Sequence, residues 1–441
     1  MSGNSPNNSV FRLKGSLQTY DWGKSGSNSL VAKFLKNAVG GEDNVEENKH
    51  YAELWMGTHE NGPASLWSDP NTSLHGLIIS SPRHFLGPRL TTSTFTETAK
   101  FPNSTHVPYL FKILSIAKAL PLQAHPDKQL AEKLHNKDSK QFVDSNHKPE
   151  IAVAISDGFR GFVGFRQPDA IAQDLKDVPE LQEAIADDTA IERFQQEPSK
   201  ESLKVVFTKL LTADQTEISR IVSKIVSRIE RQGGKALGGD EERAEVIKTL
   251  SQQYPGDVGV LAAPFFMNLV TLNKGESVYI GADEAHAYLE GDIIECMAVS
   301  DNVLNAAFVP PETRNTSTFI NSLTYTARPP SHWLLPPKPY KKSKTGKTIA
   351  FDPPLEEFTV LWTRLGGAGE RGITKESKYG SAEGPTIGIV TSGKVEIIEQ
   401  ANEFDTLTLE AGGVVFVKPE TEIAVQVLEG EGEVWWATCS E

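Results

Sequence analysis

The sequence predicts a mainly β chain with a helical insertion, on three observations. From about Val10 to Phe165, short apolar runs alternate with Gly, Pro, Asn and Ser, the texture of strands and loops in a decorated β-barrel or sandwich. Between Gln167 and Tyr254 the period changes. Ile218, Ile221, Val222, Ile225 and Ile229 fall at helical spacing, with Glu217, Arg220, Lys224 and Arg228 on other faces. Near the C-terminus, strand-like runs return at regular spacing, the pattern of a jelly roll.

In chain order, residues 10–165 supply the first strands of a barrel. Residues 166–255 form the insertion, with further helix expected at Pro168-Asp169, Glu180–Ile185 and Ser202–Leu211. Strand texture resumes with Phe265–Val270, Ser277–Ile280 and Ile293-Ile294, so residues 256–327 are expected to complete the first barrel. A linker follows over 328–348. Its Pro- and Lys-rich run, Pro336 to Lys347, reads as a solvated loop, because it lacks the glycine pattern of a phosphate cradle. In 349–441, Glu357–Arg364, Pro385–Val390, Lys394–Ile398, Gly413–Val417 and Glu422–Val427 predict a second barrel, which contains no His.

Composition narrows the functional classes. A chain of 441 residues is long for one core. A net charge of -14 argues against nucleic-acid or anionic-membrane partners, which need basic surfaces. An anionic substrate must then meet a local cluster of cations. Only Cys296 and Cys439 are present, so no disulfide framework is expected and a reducing, cytoplasmic compartment is. The N-terminal segment has no signal-peptide core, and the longest apolar stretch, Gly259–Val270, is too short to span a bilayer. No protein partner is inferred.

Four residues read as ligands of one divalent ion, zinc by default and one per chain. They are Gln123 and His125 in Gln-Ala-His-Pro-Asp, Glu150 in His-Lys-Pro-Glu, and His286 in Asp-Glu-Ala-His-Ala-Tyr. Gln123 and His125 stand at i, i+2, which on a strand puts both on one face. Gln123 would otherwise sit poorly among Leu120, Leu122 and Ala124 without a partner. His147 would face away from Lys148 on an extended segment, and His59, His135 and His332 read as surface or loop residues.

These strings resemble the type I phosphomannose isomerases. The resemblance includes Tyr20-Asp-Trp-Gly-Lys24, Tyr51 to His59, Phe111 to Ser115, Gln123 to Lys128, Asn146 to Glu150, His286-Ala-Tyr288, Gly291 to Met297 and Ser300-Asp-Asn-Val303. It implies two cupin-type jelly-roll barrels with a helical domain inserted into the first. It also implies a zinc-dependent aldose–ketose isomerase that interconverts mannose 6-phosphate and fructose 6-phosphate through a cis-enediol, feeding GDP-mannose and glycan synthesis. Under the resemblance, Glu295 and Lys148 correspond to active-site residues. Glu295 could instead be a strand-edge carboxylate in a salt bridge. Glu53 suits either a cleft carboxylate or a buried hydrogen-bond partner for a backbone group. Trp22 could be sugar wall or core, and Tyr288 is expected to touch substrate.

Three positions depart from the family. Pro121 stands where the family has Ser, Asn305 where it has an Arg taken as catalytic, and Pro311 where it has Lys. The Ser and Lys are linked to phosphate binding, so Lys112, Lys128, Lys148 and Arg314 remain to hold a phosphate, while Asn305 can still donate a hydrogen bond to substrate. Three readings stand: the mannose 6-phosphate isomerase, an isomerase of a different or unphosphorylated sugar, and a non-catalytic zinc-binding sugar-phosphate sensor.

Overall fold

The computed structural model describes residues 5–40, 45–91, 105–366, 375–377, 382–401 and 406–439. It is mainly β with a helical insertion. One ten-stranded sheet system forms a barrel around the candidate site, and a second ten-stranded system forms the C-terminal barrel.

The spine of the first barrel is the long strand His286–Ala298. Its first half pairs with Phe159–Phe165 and its second half with Tyr109–Ile116 and Glu150–Ala154. The change of neighbours occurs at Gly291, whose φ of 117° is a conformation that L side chains rarely adopt. A Cβ there would lie 2.7 Å from the Phe159 backbone. The register shifts at the same place, and this decides which side chains point inward. In a regular strand His286 and Glu295, nine residues apart, would face opposite ways. The irregularity restores them to one interior, with Tyr288 and Ile293 in the same inner cluster.

The insertion opens with helices Pro168–Asp177, Pro179–Ile185, Asp188–Gln196, Lys200–Leu211, Gln215–Gln232 and Glu241–Gln253. Asp214 caps the longest of these by accepting from Thr216 N and Glu217 N, a contact worth about 1 kcal/mol. The five apolar residues read from its periodicity are the five it buries. Helix continues through Gly259–Phe266, where strand was expected from Phe265, and the strand begins at Met267. A run apolar at every position carries no period to tell the two apart.

In the C-terminal barrel, Thr386–Glu399 forms one strand where two were expected, and Ile423–Thr438 continues well past Val427. Thr406–Glu410 is a strand that the sequence reading did not pick out. Val10–Lys14, expected in the first barrel, instead pairs with Val414–Val417 of the second. The chain then crosses at Gly15 to pair Ser16–Gln18 with Glu53–Met56. The two barrels share a core: Leu54, Phe111, Ile113 and Ile294 meet Trp362, Ile387, Phe416 and Trp435. The Tyr109 hydroxyl donates across it to Ala437 O at 2.7 Å. The segment after residue 328 is also partly built in, with Trp333 6% exposed against the first barrel, although Pro336–Pro339 is exposed. Among the described residues, no helix is long and apolar enough to cross a membrane.

Candidate metal centre and active site

Glu53, Lys112, Gln123, His125, Glu150, His286, Tyr288 and Glu295 are all buried, and alternation together with the irregularity at Gly291 turns those on strands into the first barrel. Gln123 stands directly across from His286, and Lys112 directly across from Glu295. The ligand atoms of His125, Glu150 and His286 all lie within 4.8 Å of one another. His125 Nε2 is 3.3 Å from one Glu150 oxygen and His286 Nε2 is 3.1 Å from the other.

The outer nitrogens fix the chemistry of the inner ones. His125 Nδ1 donates to Asn302 O at 2.8 Å, and His286 Nδ1 donates to Glu284 O at 3.1 Å. A carbonyl only accepts, so each Nδ1 carries a proton, and a neutral ring then turns an Nε2 lone pair inward. Both Nε2 atoms are buried with no hydrogen-bond partner. Burial, aided by the Lys148 charge, pushes His125 down to about 4, so the ring is neutral at pH 7. Two lone pairs aimed at a carboxylate repel it unless a cation lies between them. The donor set therefore fits a divalent metal with nitrogen and oxygen ligands.

Beside this group, Lys112 Nζ lies 2.8 Å from Glu295 and 3.5 Å from Glu53. Burial alone would lower the Lys112 pKa, but the Glu295 and Glu53 carboxylates more than reverse it and hold the ammonium above its ordinary value. For Glu295, burial raises the carboxyl against the opposing charge of Lys112, with Glu150 and Glu53 adding to the rise. Glu53 accepts from the Trp55 indole, and Lys112 sits 5.2 Å from that ring's centre. Glu53 is thus a buried hydrogen-bond partner of a side-chain indole, where a backbone partner was one expectation. Lys148 is half-buried and acts electrostatically on both His125 and Glu295.

Tyr288 belongs to the inner cluster of the first barrel. It is 1% exposed, and its hydroxyl donates to Glu150 Oε1 at 2.7 Å, so it orients a candidate ligand. Lys128 is exposed at the first position of helix Lys128–Lys137, and its electrostatic reach is to Glu357. Trp22 is half-buried and stacks on Tyr20 at 5.8 Å. It borders a cavity of about 660 Å³ together with Pro121, Tyr254, Phe308 and Pro311, whose lining does not include the His–Glu–His group. Two ion pairs line the same cavity: Arg314–Asp257 at 2.7 Å and Lys118–Asp21 at 3.4 Å. Asn305 lies opposite Gln123, its side-chain oxygen buried without a hydrogen-bond partner.

Two histidines gain partners that sequence reasoning missed. His59 is 1% exposed and 3.0 Å from Asp301, where a surface position was expected. His147 is 2.5 Å from Glu357 of the C-terminal barrel.

A jelly-roll barrel with such a centre defines the cupin class of metal-competent β-barrels. Two family models sharpen this: "Phosphomannose isomerase type I, catalytic domain" matches residues 10–168, and the corresponding helical insertion domain matches 180–267. The mannose-6-phosphate isomerase of Candida albicans is 36% identical over 94% of each chain, and that of Saccharomyces cerevisiae is 36% identical over 97% of each. A mutant phosphomannose isomerase from Salmonella typhimurium superposes with a TM-score of 0.80 at 26% identity, covering 98% of this chain and all of that one. A mannose 6-phosphate isomerase bound with zinc and yttrium gives 0.79 at 26% with the same coverage. The chain belongs to the type I phosphomannose isomerase family.

Proposed function

We propose that this chain is a zinc-dependent aldose–ketose isomerase interconverting mannose 6-phosphate and fructose 6-phosphate, with one Zn²⁺ held by Gln123, His125, Glu150 and His286. The observation that carries the reading is the pair of unpartnered Nε2 atoms facing Glu150 in the same interior as the Lys112–Glu295 pair. Bound there, zinc would supply positive charge that draws electron density from a sugar oxygen. Glu295 takes the proton from C2 of the aldose and returns it to C1, passing through a cis-enediol, while the hydroxyl proton moves between O2 and O1. A carboxyl raised by burial suits a group that must both accept and donate a proton. Lys112 stabilises the ionised carboxylate before the first transfer and after the second, and Lys148 supplies charge for the oxygen that becomes negative. We place this activity in the cytoplasm, at the entry to GDP-mannose and glycan synthesis, a setting in keeping with two buried free thiols, Cys296 and Cys439.

A second reading, an isomerase of an altered or unphosphorylated sugar, is favoured by one observation. The cations lining the large cavity beside Pro121 and Pro311 are already matched by Asp21 and Asp257. A coupled isomerase assay of zinc-loaded protein with mannose 6-phosphate and mannose side by side separates the readings. Turnover of the phosphate ester alone is expected. Equal rates on both sugars favour the altered substrate, and no turnover on either sugar favours the sensor.

A further inference from the structure

We propose that Asp144 is a positioning residue for the metal centre, setting the carbonyl that orients His125 and the course of the loop that delivers Lys148 and Glu150. This rests on the reading of His125, Glu150 and His286 as metal ligands. Asp144 is 1% exposed, in the loop before the strand Glu150–Ala154. One carboxylate oxygen accepts from Asn146 N at 2.9 Å, Ser300 Oγ at 2.8 Å and Asn302 Nδ2 at 3.1 Å. The other accepts from Asp301 N at 2.8 Å.

These bonds join two segments far apart in sequence. Asn302 Nδ2 also donates to Asp144 O at 2.9 Å and Asn146 O at 2.8 Å, and Asn146 Nδ2 donates to Val299 O at 3.0 Å. The stitching ends on the candidate centre from two directions. On one side, Asn302 O takes the His125 Nδ1 proton. On the other, Asn146 begins the short run to Lys148 and Glu150. A metal-binding imidazole is aimed by whatever holds its other nitrogen, and here that acceptor is a loop carbonyl with no regular strand to fix it. The buried carboxylate supplies the rigidity, because four donors would be left competing without it.

Asp144→Asn in the full chain tests this. The amide keeps the size but replaces an acceptor with a donor facing donors. Metal-free protein is titrated with Co²⁺ against a competing chelator, well below its melting transition, and its visible absorption is recorded. Binding about 10–100-fold weaker than wild type, with an altered cobalt spectrum, is expected. A loop staple with no bearing on the centre would lower the melting temperature yet leave affinity within twofold and the spectrum unchanged, which overturns the proposal. If Asp144→Asn does not fold, Ser300→Ala withdraws one of the four donors and is expected to weaken binding about 3–10-fold; an unchanged affinity there also overturns it. Failure of wild type to take up stoichiometric Co²⁺ would sink the ligand reading itself, and this proposal with it.

Discussion

At Glu295 two influences oppose each other: burial favours the proton, and Lys112 at 2.8 Å favours the charge. Glu295→Gln keeps the shape and removes the base, so turnover should fall about 100-fold or more while zinc content, measured on the same sample, holds. Unchanged turnover removes Glu295 from the chemistry. Lys148 and Arg314 separate by the same logic. Arg314 is committed to Asp257, so Arg314→Met should cost stability, on the order of 3 kcal/mol for a buried pair broken on one side. Lys148→Met should instead lower turnover with little change in urea midpoint; the reverse pattern would exchange their roles. Asp283 gives a pH test on metal-free protein. Burial, with Asp127 adding, raises it to about 6, so the folded state keeps a proton that the unfolded chain has released. Its contribution is complete below about pH 4 and is lost as pH climbs to about 6. Relative to wild type, Asp283→Asn should therefore gain on the order of 1 kcal/mol across that window, discounted for partial exposure. A constant difference between the two would refute the shift. His125, Glu150 and His286 were legible because each sits in a distinctive string. The bond from the Tyr288 hydroxyl to Glu150 was not legible, because one sequence shows neither burial nor which oxygen a hydroxyl meets.

Strands and helices were legible where period exists and obscure where it does not. The isoleucines of Gln215–Gln232 announce their helix, whereas Gly259–Phe266 is apolar throughout, and its last two residues read as the start of a strand. The inward placement of both His286 and Glu295 was not derivable by counting, since strict alternation sets them on opposite faces. It depends on the bend at Gly291, and that gives the element its own test. Gly291→Ala must adopt a φ of 117° and place a Cβ 2.7 Å from the Phe159 backbone. The expected loss is on the order of 2–4 kcal/mol in urea unfolding, more than a strand glycine normally carries. Metal binding should weaken as well, because the bend orients both halves of the strand. A variant as stable as wild type would show that the register shift is held elsewhere.

The C-terminal barrel carries none of the candidate ligands, yet it is tied to the catalytic one by more than a shared core. Its sheet takes in Val10–Lys14, a pairing invisible in sequence, since alternation in Val-Phe-Arg-Leu-Lys predicts a strand without naming its neighbour. It also reaches the active-site loop through Glu357. That carboxylate is 5% exposed, and although burial would raise its pKa, the hydrogen bond and charge of His147 bring it below the ordinary value. His147 immediately precedes Lys148, so a side chain of the second barrel fixes the base of the residue proposed to stabilise the reacting oxygen. Glu357→Gln retains the volume and an acceptor for His147 but removes the charge that holds it. If the second barrel serves the chemistry through this contact, turnover should drop several-fold at nearly constant Michaelis constant and zinc content, with the melting temperature within a few degrees of wild type. A drop in melting temperature with full turnover per folded molecule would confine the contact to assembly of the two barrels.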